Sequence, residues 1–314
     1  MFGANKRYTY TWMIVYAFLI LLSLTSGGYA EVVYNIAFLM VLSQSLNIAM
    51  GFGGLVNLGF VSFLGVGAYV FAVLVVYGLN PYLSMLTGGF VAIIVALPIG
   101  MVVLRLRGPF FAICTLSLIF AAKYFFLGTG IGGGYYGITL YKYIGSLYNN
   151  YVLAYILLAL SAVLTMLTNK LRRSSLGYSL MAIREDEDTA QTMGVDTFKS
   201  KLIAYAISAF FPGIVGGVFA FKIFWVLPDR VFNPFVTIEA VLTLLMGGAG
   251  SVTGPLIGAL IYELMKDTLL RIPGLQGMQM PIFGILVIII AISAPQGVVG
   301  LIKSKYRKLQ DFII

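Results

Sequence analysis

The sequence predicts an all-α protein with many membrane-spanning helices, and two observations carry that prediction: its composition and the spacing of its charges. Of 314 residues, 60% are hydrophobic and 10% are charged, with a mean hydropathy of +0.98. Soluble domains carry about 25% charged residues. Glu31 and Arg105 have no charged residue between them, and four later uncharged runs are also about 20 residues or longer, which is enough to cross a bilayer. A soluble globular domain is therefore excluded.

Each long apolar run is assigned to one or more membrane segments, which gives about ten segments. We interpret the first as a retained helix, because no signal-peptide cleavage pattern follows it. The predicted segments are residues 11–26, 34–51, 57–77, 83–104, 110–127, 151–169, 202–225, 236–247, 254–266 and 280–294. Residues 1–314 are predicted to form a single transmembrane domain.

The eighth and ninth segments are too short to span a membrane comfortably and are joined by a glycine-rich stretch. Irregular backbone at membrane depth is tolerated only where protein or a water-filled cavity satisfies its polar groups. We therefore predict a helix–break–helix pair that dips to the cytoplasmic side of the membrane and returns. Its hinge comprises Gly247, Gly248, Gly250, Gly254 and Pro255.

A second glycine-rich stretch, residues 51–59, interrupts the long uncharged run near the start of the chain. Together the two stretches give one break in each half of the sequence. Matching interruptions are typical of transporters built from inverted repeats. We therefore predict an inverted repeat.

The distribution of Lys and Arg predicts the orientation. Placing both termini in the cytoplasm of a multi-pass cell-membrane protein puts 14 of the 20 basic residues inside, as the positive-inside rule favours. The net charge of +9 does not indicate nucleic-acid binding, because the basic residues lie in short segments between apolar spans. The inside group is Lys6, Arg7, Arg105, Arg107, Lys170, Arg172, Arg173, Arg184, Lys199, Lys201, Lys303, Lys305, Arg307 and Lys308; the outside group is Lys123, Lys142, Lys222, Arg230, Lys266 and Arg271.

The polar segment 170–201 lies between the sixth and seventh predicted spans. Leu180, Ile183, Ala190 and Met193 recur near helical spacing with charges between them, and Gly194 is placed to stop a helix. We predict a short amphipathic cytoplasmic helix that offers a surface to a soluble partner. A solvated connector is the alternative.

Several stretches, in register over most of the chain, resemble the permease subunits of branched-chain amino acid ABC importers of the LivM/LivH type, the LivM branch more than the LivH branch. They are AIREDEDTAQTMGVD at 182–196, GFGGLVNLGFVSFLGVGAY at 51–69, RLRGPFFAICTLSL at 105–118, LLMGGAGSVTGPLIGA at 244–259 and APQGVVGL at 294–301. The resemblance implies that the polar segment holds the coupling helix, which docks on an ATPase. Its coupling surface would then comprise Arg184, Glu185, Asp186, Glu187, Asp188 and Gly194.

The same resemblance implies a non-enzymatic subunit that works with a LivH-like permease, two cytoplasmic ATPase subunits and an external substrate-binding protein. The sequence contains no G-x-x-x-x-G-K-[ST] motif for ATP. This chain is therefore expected to bind no cofactor, with ATP and Mg on the partner subunits. Branched-chain amino acids are the expected substrates. Urea, short amides and sugars are alternatives.

An ion-coupled secondary transporter or a stand-alone channel is an alternative of a different class. Ion coupling usually places an ionisable side chain at mid-membrane depth. The chain has no His, and its intramembrane candidates fall near the outer ends of predicted segments. These candidates are Lys123, Lys222, Glu239, Glu263 and Lys266.

Polar side chains on the second predicted segment and around the first glycine break are candidates for the translocation path. They are Gln44, Asn47, Asn57 and Ser62, and hydrogen bonding between helices is the alternative. Residues 128–150 form a Gly- and Tyr-rich outer connector. The connector is either flexible or, with Lys142 and Arg230, part of a face that receives the binding protein.

Overall fold

The structure is a computed structural model that describes residues 12, 15–23, 27–272, 277–278, 281–282, 284–285, 297–298 and 300. The first predicted segment lies partly, and the last one largely, outside these residues, as do both termini. Helices dominate the described part, and the fold is the predicted all-α class.

The helices follow the predicted apolar segments closely through the middle of the chain. A π-helical turn, Asn47–Phe52, directly follows the helix Gly27–Leu46. Single 3₁₀ turns cover Ile131–Tyr136 and Gly145–Leu147. The α-helices are α1 Gly27–Leu46, α2 Val61–Val76, α3 Pro81–Val103, α4 Pro109–Thr129, α5 Tyr141–Ile144, α6 Asn150–Arg172, α7 Ser175–Glu185, α8 Glu187–Thr192, α9 Thr197–Ile223, α10 Pro228–Val231, α11 Pro234–Gly247 and α12 Gly254–Arg271; the strands are β1 Ile138–Thr139 and β2 Trp225–Val226.

Six stretches of helix in the described part are long and apolar enough to cross a membrane, which confirms a multi-pass membrane protein. Of the other two long helices, α2 has 16 residues and α12 carries four charges in its C-terminal half. The six are Tyr29–Phe52, Pro81–Val103, Pro109–Thr129, Asn150–Arg172, Thr197–Ile223 and Pro228–Gly247.

The chain divides into two compact units. The first comprises residues 1–47, 150–170 and 239–314, and the second comprises residues 48–149 and 171–238. Each unit contains one of the two glycine-rich breaks. The predicted inverted repeat and single permease domain stay predictions.

In the first unit, α1 packs against α12. The helical residues 15–23 contact α6 through hydroxyl groups: the Tyr16 hydroxyl lies 2.7 Å from the Ser161 Oγ, and the Ser23 Oγ lies 3.0 Å from the Tyr155 hydroxyl. Hydrogen bonds of this kind hold membrane helices together where the hydrophobic effect between helices is absent.

In the second unit, α2, α3 and α9 form a closely packed core. Glycines at the crossings permit this approach, because a Cβ on Gly67 would lie 1.9 Å from the Gly213 carbonyl oxygen, and one on Gly216 would lie 2.0 Å from the Leu64 carbonyl oxygen. Small residues at helix crossings are the usual means of close packing in membranes.

The outer connector is structured rather than extended coil. Strand β1 pairs antiparallel with β2, with Ile138 opposite Val226, and the Trp225 indole N–H donates to the Tyr136 carbonyl at 2.9 Å. Lys123 forms an ion pair with Asp229 next to this ladder. The connector is therefore attached at the C-terminal end of α9. Helices α7 and α8 precede the N-terminal end of α9.

Candidate functional site

The polar segment forms two short helices where the sequence predicted one. Ser174 caps α7 by accepting a hydrogen bond from the Gly177 N–H, and α7 ends where Asp186 takes an extended conformation, with φ −159°. The Asp186 carboxylate then accepts from the Thr189 N–H at 2.6 Å and caps α8. The single-helix prediction is wrong because Asp186 is a better N-cap than a helix interior residue.

The predicted apolar stripe is buried in part. Leu180, Ile183 and Ala190 are buried, whereas Met193 is 81% exposed. Gly194 has a φ of +86°, the left-handed conformation that favours glycine just beyond a helix end. Met193 misses the stripe because α8 ends at Thr192, one residue before it.

Ion pairs connect this segment to neighbouring helix ends. The Lys201 ammonium, whose side chain is 5% exposed, lies 2.5 Å from the Glu187 carboxylate and also donates to the Leu104 carbonyl. Arg107 lies 2.9 Å from Asp188 and 3.8 Å from Glu187. In the sequence, Arg107 and Lys201 indicate only the orientation of the chain, because no local spacing predicts either ion pair.

The four predicted acids therefore differ in what they do. Asp186 caps a helix, and Glu187 and Asp188 hold cations, whereas the exposed Glu185 side chain makes no hydrogen bond or ion pair with any described residue. Glu185 is thus the acid whose charge is most freely presented outward.

Hydrogen bonds set the titration of the exposed charges here. The Thr189 N–H lowers the pKa of the Asp186 carboxyl, and the adjacent Asp188 raises the pKa of the Arg107 guanidinium. A depressed carboxyl pKa means that the Asp186 cap contributes stability above the carboxyl's unfolded pKa, near pH 4, and loses it as the pH falls through the folded value. The cap is therefore intact at neutral pH.

Helix α7 lies directly on the first glycine break. The Arg184 guanidinium donates to the Gly51 carbonyl at 2.6 Å. A Cβ on Gly54, whose φ is +69°, would lie 3.3 Å from the Arg184 Cγ, and a Cβ on Gly53 would lie 3.2 Å from the Leu180 Cδ2. The polar segment and the first glycine break, which the sequence predicted as separate features, are thus in direct contact.

The second glycine break separates α11 from α12 at residues 248–253. The Ser251 Oγ donates to the Gly248 carbonyl and accepts from the Gly254 N–H, and Pro255 occupies the first turn of α12. A Cβ on Gly247 would lie 1.9 Å from the Gly254 carbonyl oxygen. The break is therefore a tight, hydrogen-bonded turn, and its role as a hinge stays a prediction.

Asn47 satisfies the backbone of that turn. Its side-chain amide donates to the Ser251 carbonyl at 2.8 Å and accepts from the Gly250 N–H at 2.8 Å. Buried polar backbone groups need such partners. This geometry agrees with the helix-bonding alternative for Asn47.

The remaining path candidates are also buried. Neither amide atom of Gln44, nor the Asn57 Nδ2, nor the Ser62 Oγ has a hydrogen-bond partner among the described residues. Gln44 belongs to the first unit, and Asn57 and Ser62 belong to the second. Their role in translocation stays a prediction.

Two of the cavities within the second unit are lined by candidate residues. One, of about 700 Å³, is walled by apolar side chains of α2, α3 and α4, with Ser62 at its lining. The other, of about 460 Å³, lies beside α7 and combines apolar walls with Arg107, Arg184, Glu187 and Lys201. Among the described residues no cluster of His, Cys, Asp and Glu is suited to hold a metal ion.

The fold and these sites define a multi-pass helical membrane protein of the permease class. The chain belongs to the family described as branched-chain amino acid transport system / permease component, whose model matches residues 28–291. This family membership confirms the resemblance seen in the sequence.

Curated relatives carry the same description. The chain is 28% identical to the high-affinity branched-chain amino acid transport system permease protein LivM of Salmonella typhimurium, and likewise 28% identical to that of Escherichia coli; each match covers 90% of this chain and 73% of the relative. A probable LivM protein of Methanocaldococcus jannaschii is 25% identical over 65% of this chain and 56% of its own length. No solved structure matches the chain.

Proposed function

We propose that this chain is the permease subunit of an ATP-driven importer of branched-chain amino acids. The family match and the names of the relatives support the transport role and the substrate class. The observation that carries the mechanism is the seating of α7 on the glycine break through Arg184 and Gly51. Helix α7 presents at the surface the charge of Glu185, which has no described partner, and binds the glycine break through Arg184, so a partner that moves α7 can also move the break.

The proposed partners rest on the family of the chain and on the absence of an ATP-binding motif from the sequence. It has no phosphate-binding motif, so hydrolysis of ATP with Mg belongs to two separate cytoplasmic ATPase subunits. A LivH-like permease completes the membrane part, and a LivH protein is also among the chain's relatives. An external binding protein delivers the amino acid. In this arrangement both termini of the chain lie in the cytoplasm.

Movement of α7 acts by shifting a two-state equilibrium. ATP draws the ATPase subunits together and moves the coupling helices, which changes the relative stability of outward- and inward-open states of the membrane helices. Tightly packed helices adopt discrete arrangements and do not deform continuously. A small displacement of the coupling helix is therefore enough to change the arrangement of the membrane helices.

Glu185 provides the cleanest test of the docking surface. We expect Glu185→Lys to insert normally but to lower co-purification of the ATPase subunits and ATP-driven leucine uptake at least tenfold, because the acid has no described partner to lose within the chain. Lys170→Glu reverses an exposed charge at the C-terminal end of α6, outside α7 and α8, and is the matched control. Normal ATP-driven uptake by Glu185→Lys would contradict the coupling assignment.

The substrate is tested separately on the whole complex in proteoliposomes. Uptake of leucine, isoleucine and valine, with no uptake of urea, short amides or sugars, is the expected result. Uptake by this chain alone, without ATPase subunits, would instead identify an ion-coupled transporter or channel.

A further inference from the structure

The π-helical turn Asn47–Phe52 gives the first glycine break an unusual backbone. A π-helix is rare and occurs mostly as a single turn within an α-helix, frequently at a functional site. Its i→i+5 hydrogen bonds enclose one residue more than the i→i+4 bonds of an α-helix, so the chain bulges at this point. The turn continues α1 directly, so a displacement of its C-terminal end acts on that membrane helix through the covalent chain.

Helix α7 supplies the support at the C-terminal end of the turn. The Arg184 guanidinium reaches the Gly51 carbonyl, at the position where the π-helical turn ends. A charged donor on a carbonyl makes a stronger hydrogen bond than a neutral one. Around that bond, Gly53 and Gly54 bring the backbone against Leu180 and the Arg184 stem.

The hydrogen bond to Gly51 distinguishes Arg184 from the other charged residues of the polar segment 170–201. Glu187 and Asp188 pair with the cations Lys201 and Arg107, which lie outside α7 and α8. Arg184 instead donates to the backbone of the membrane break. It is the charged residue of α7 that contacts the break directly.

We propose that Arg184 is a positioning residue that clamps α7 to the π-helical turn, so that the coupling helix and the first glycine break move as one body. This inference rests on the proposed function, since an ATPase must move α7. With the clamp intact, displacement of α7 reaches α1; without it, α7 moves while the turn stays behind, and ATP hydrolysis no longer drives uptake.

The first test compares single variants in the reconstituted complex. We expect Arg184→Gln to lower leucine imported per ATP hydrolysed at least tenfold, with the ATPase subunits still co-purifying, and Arg184→Lys to recover part of the loss because it keeps a charged donor. Arg105→Gln is the matched control, since Arg105 lies just beyond α3 and, among the described residues, its side chain donates to the Met101 carbonyl near the end of α3 and not to the glycine break. An unchanged ratio, or loss of the ATPase subunits from Arg184→Gln, would overturn the clamp.

The second test replaces the hydrogen bond by a covalent one. A Cβ on Gly54 would lie 3.5 Å from the Arg184 Cβ, within the range of disulfides. In a Cys114→Ser background, Gly54→Cys with Arg184→Cys should couple poorly when reduced and regain uptake when oxidised. Gly54→Cys alone, with Arg184 intact, controls for strain at the positive φ.

Failure of the proposed function and failure of the clamp give different results in these experiments. Failure of the wild-type complex to import leucine with ATP would sink the proposed function. Normal import by the wild type, together with an oxidised double variant that stays uncoupled, would sink the clamp alone.

Discussion

Lys201 places a positive charge where water hardly reaches. Its ammonium is held by the Glu187 carboxylate and the Leu104 carbonyl, and Glu187 also faces Arg107. Removing Glu187 would leave the buried Lys201 ammonium uncompensated, which costs more stability than removing the ammonium itself. The two members of this pair are therefore not equivalent.

We predict that Glu187→Gln destabilises the protein by about 3 kcal/mol, since it leaves the buried ammonium with only a neutral carbonyl and amide near it. Lys201→Met should cost about 1 kcal/mol or less, because Glu187 keeps Arg107 as a neighbour. Denaturant unfolding of the purified chain in detergent measures both. A larger loss for Lys201→Met than for Glu187→Gln would contradict this account.

The helices and their interruptions were predictable from local patterns, but their long-range contacts were not. The runs of glycine at 51–59 and 247–255 indicate breaks because glycine is poor in helix interiors. Nothing in either run indicates that Arg184 would meet Gly51, since residues so far apart share no periodicity. The division of the polar segment at Asp186 is not predictable from the apolar pattern, because the apolar spacing continues across it.

Glycine packing between α2 and α9 gives a prediction at the scale of these elements. We expect Gly67→Ala to lower the free energy of unfolding by about 3 kcal/mol or more, because the new methyl would collide with the Gly213 carbonyl and push the helices apart. Gly128→Ala near the end of α4 is the matched control, as its Cβ would meet nothing within 4 Å. Equal unfolding temperatures for the two variants in detergent would contradict the packing.

The second unit as a whole carries its two polar regions at opposite ends. Helix α9 has 27 residues and is thus about 40 Å long, which exceeds the roughly 30 Å of bilayer hydrocarbon. The polar segment 170–201 meets the N-terminal end of α9 through Lys201, and the connector 128–150 meets the strand after the C-terminal end of α9 through Trp225. If α9 spans the membrane, these regions face different compartments.

Cysteine labelling distinguishes the two possible orientations of that span. Tyr136 and Met193 are 88% and 81% exposed, so single cysteines there, in a Cys114→Ser background, are open to a membrane-impermeant maleimide. We expect Tyr136→Cys to react in right-side-out vesicles and Met193→Cys only in inside-out vesicles, because the cytoplasmic side carries most Lys and Arg. Reaction of Met193→Cys in right-side-out vesicles would put α7 and α8 outside the cell, where no cytoplasmic ATPase could move them.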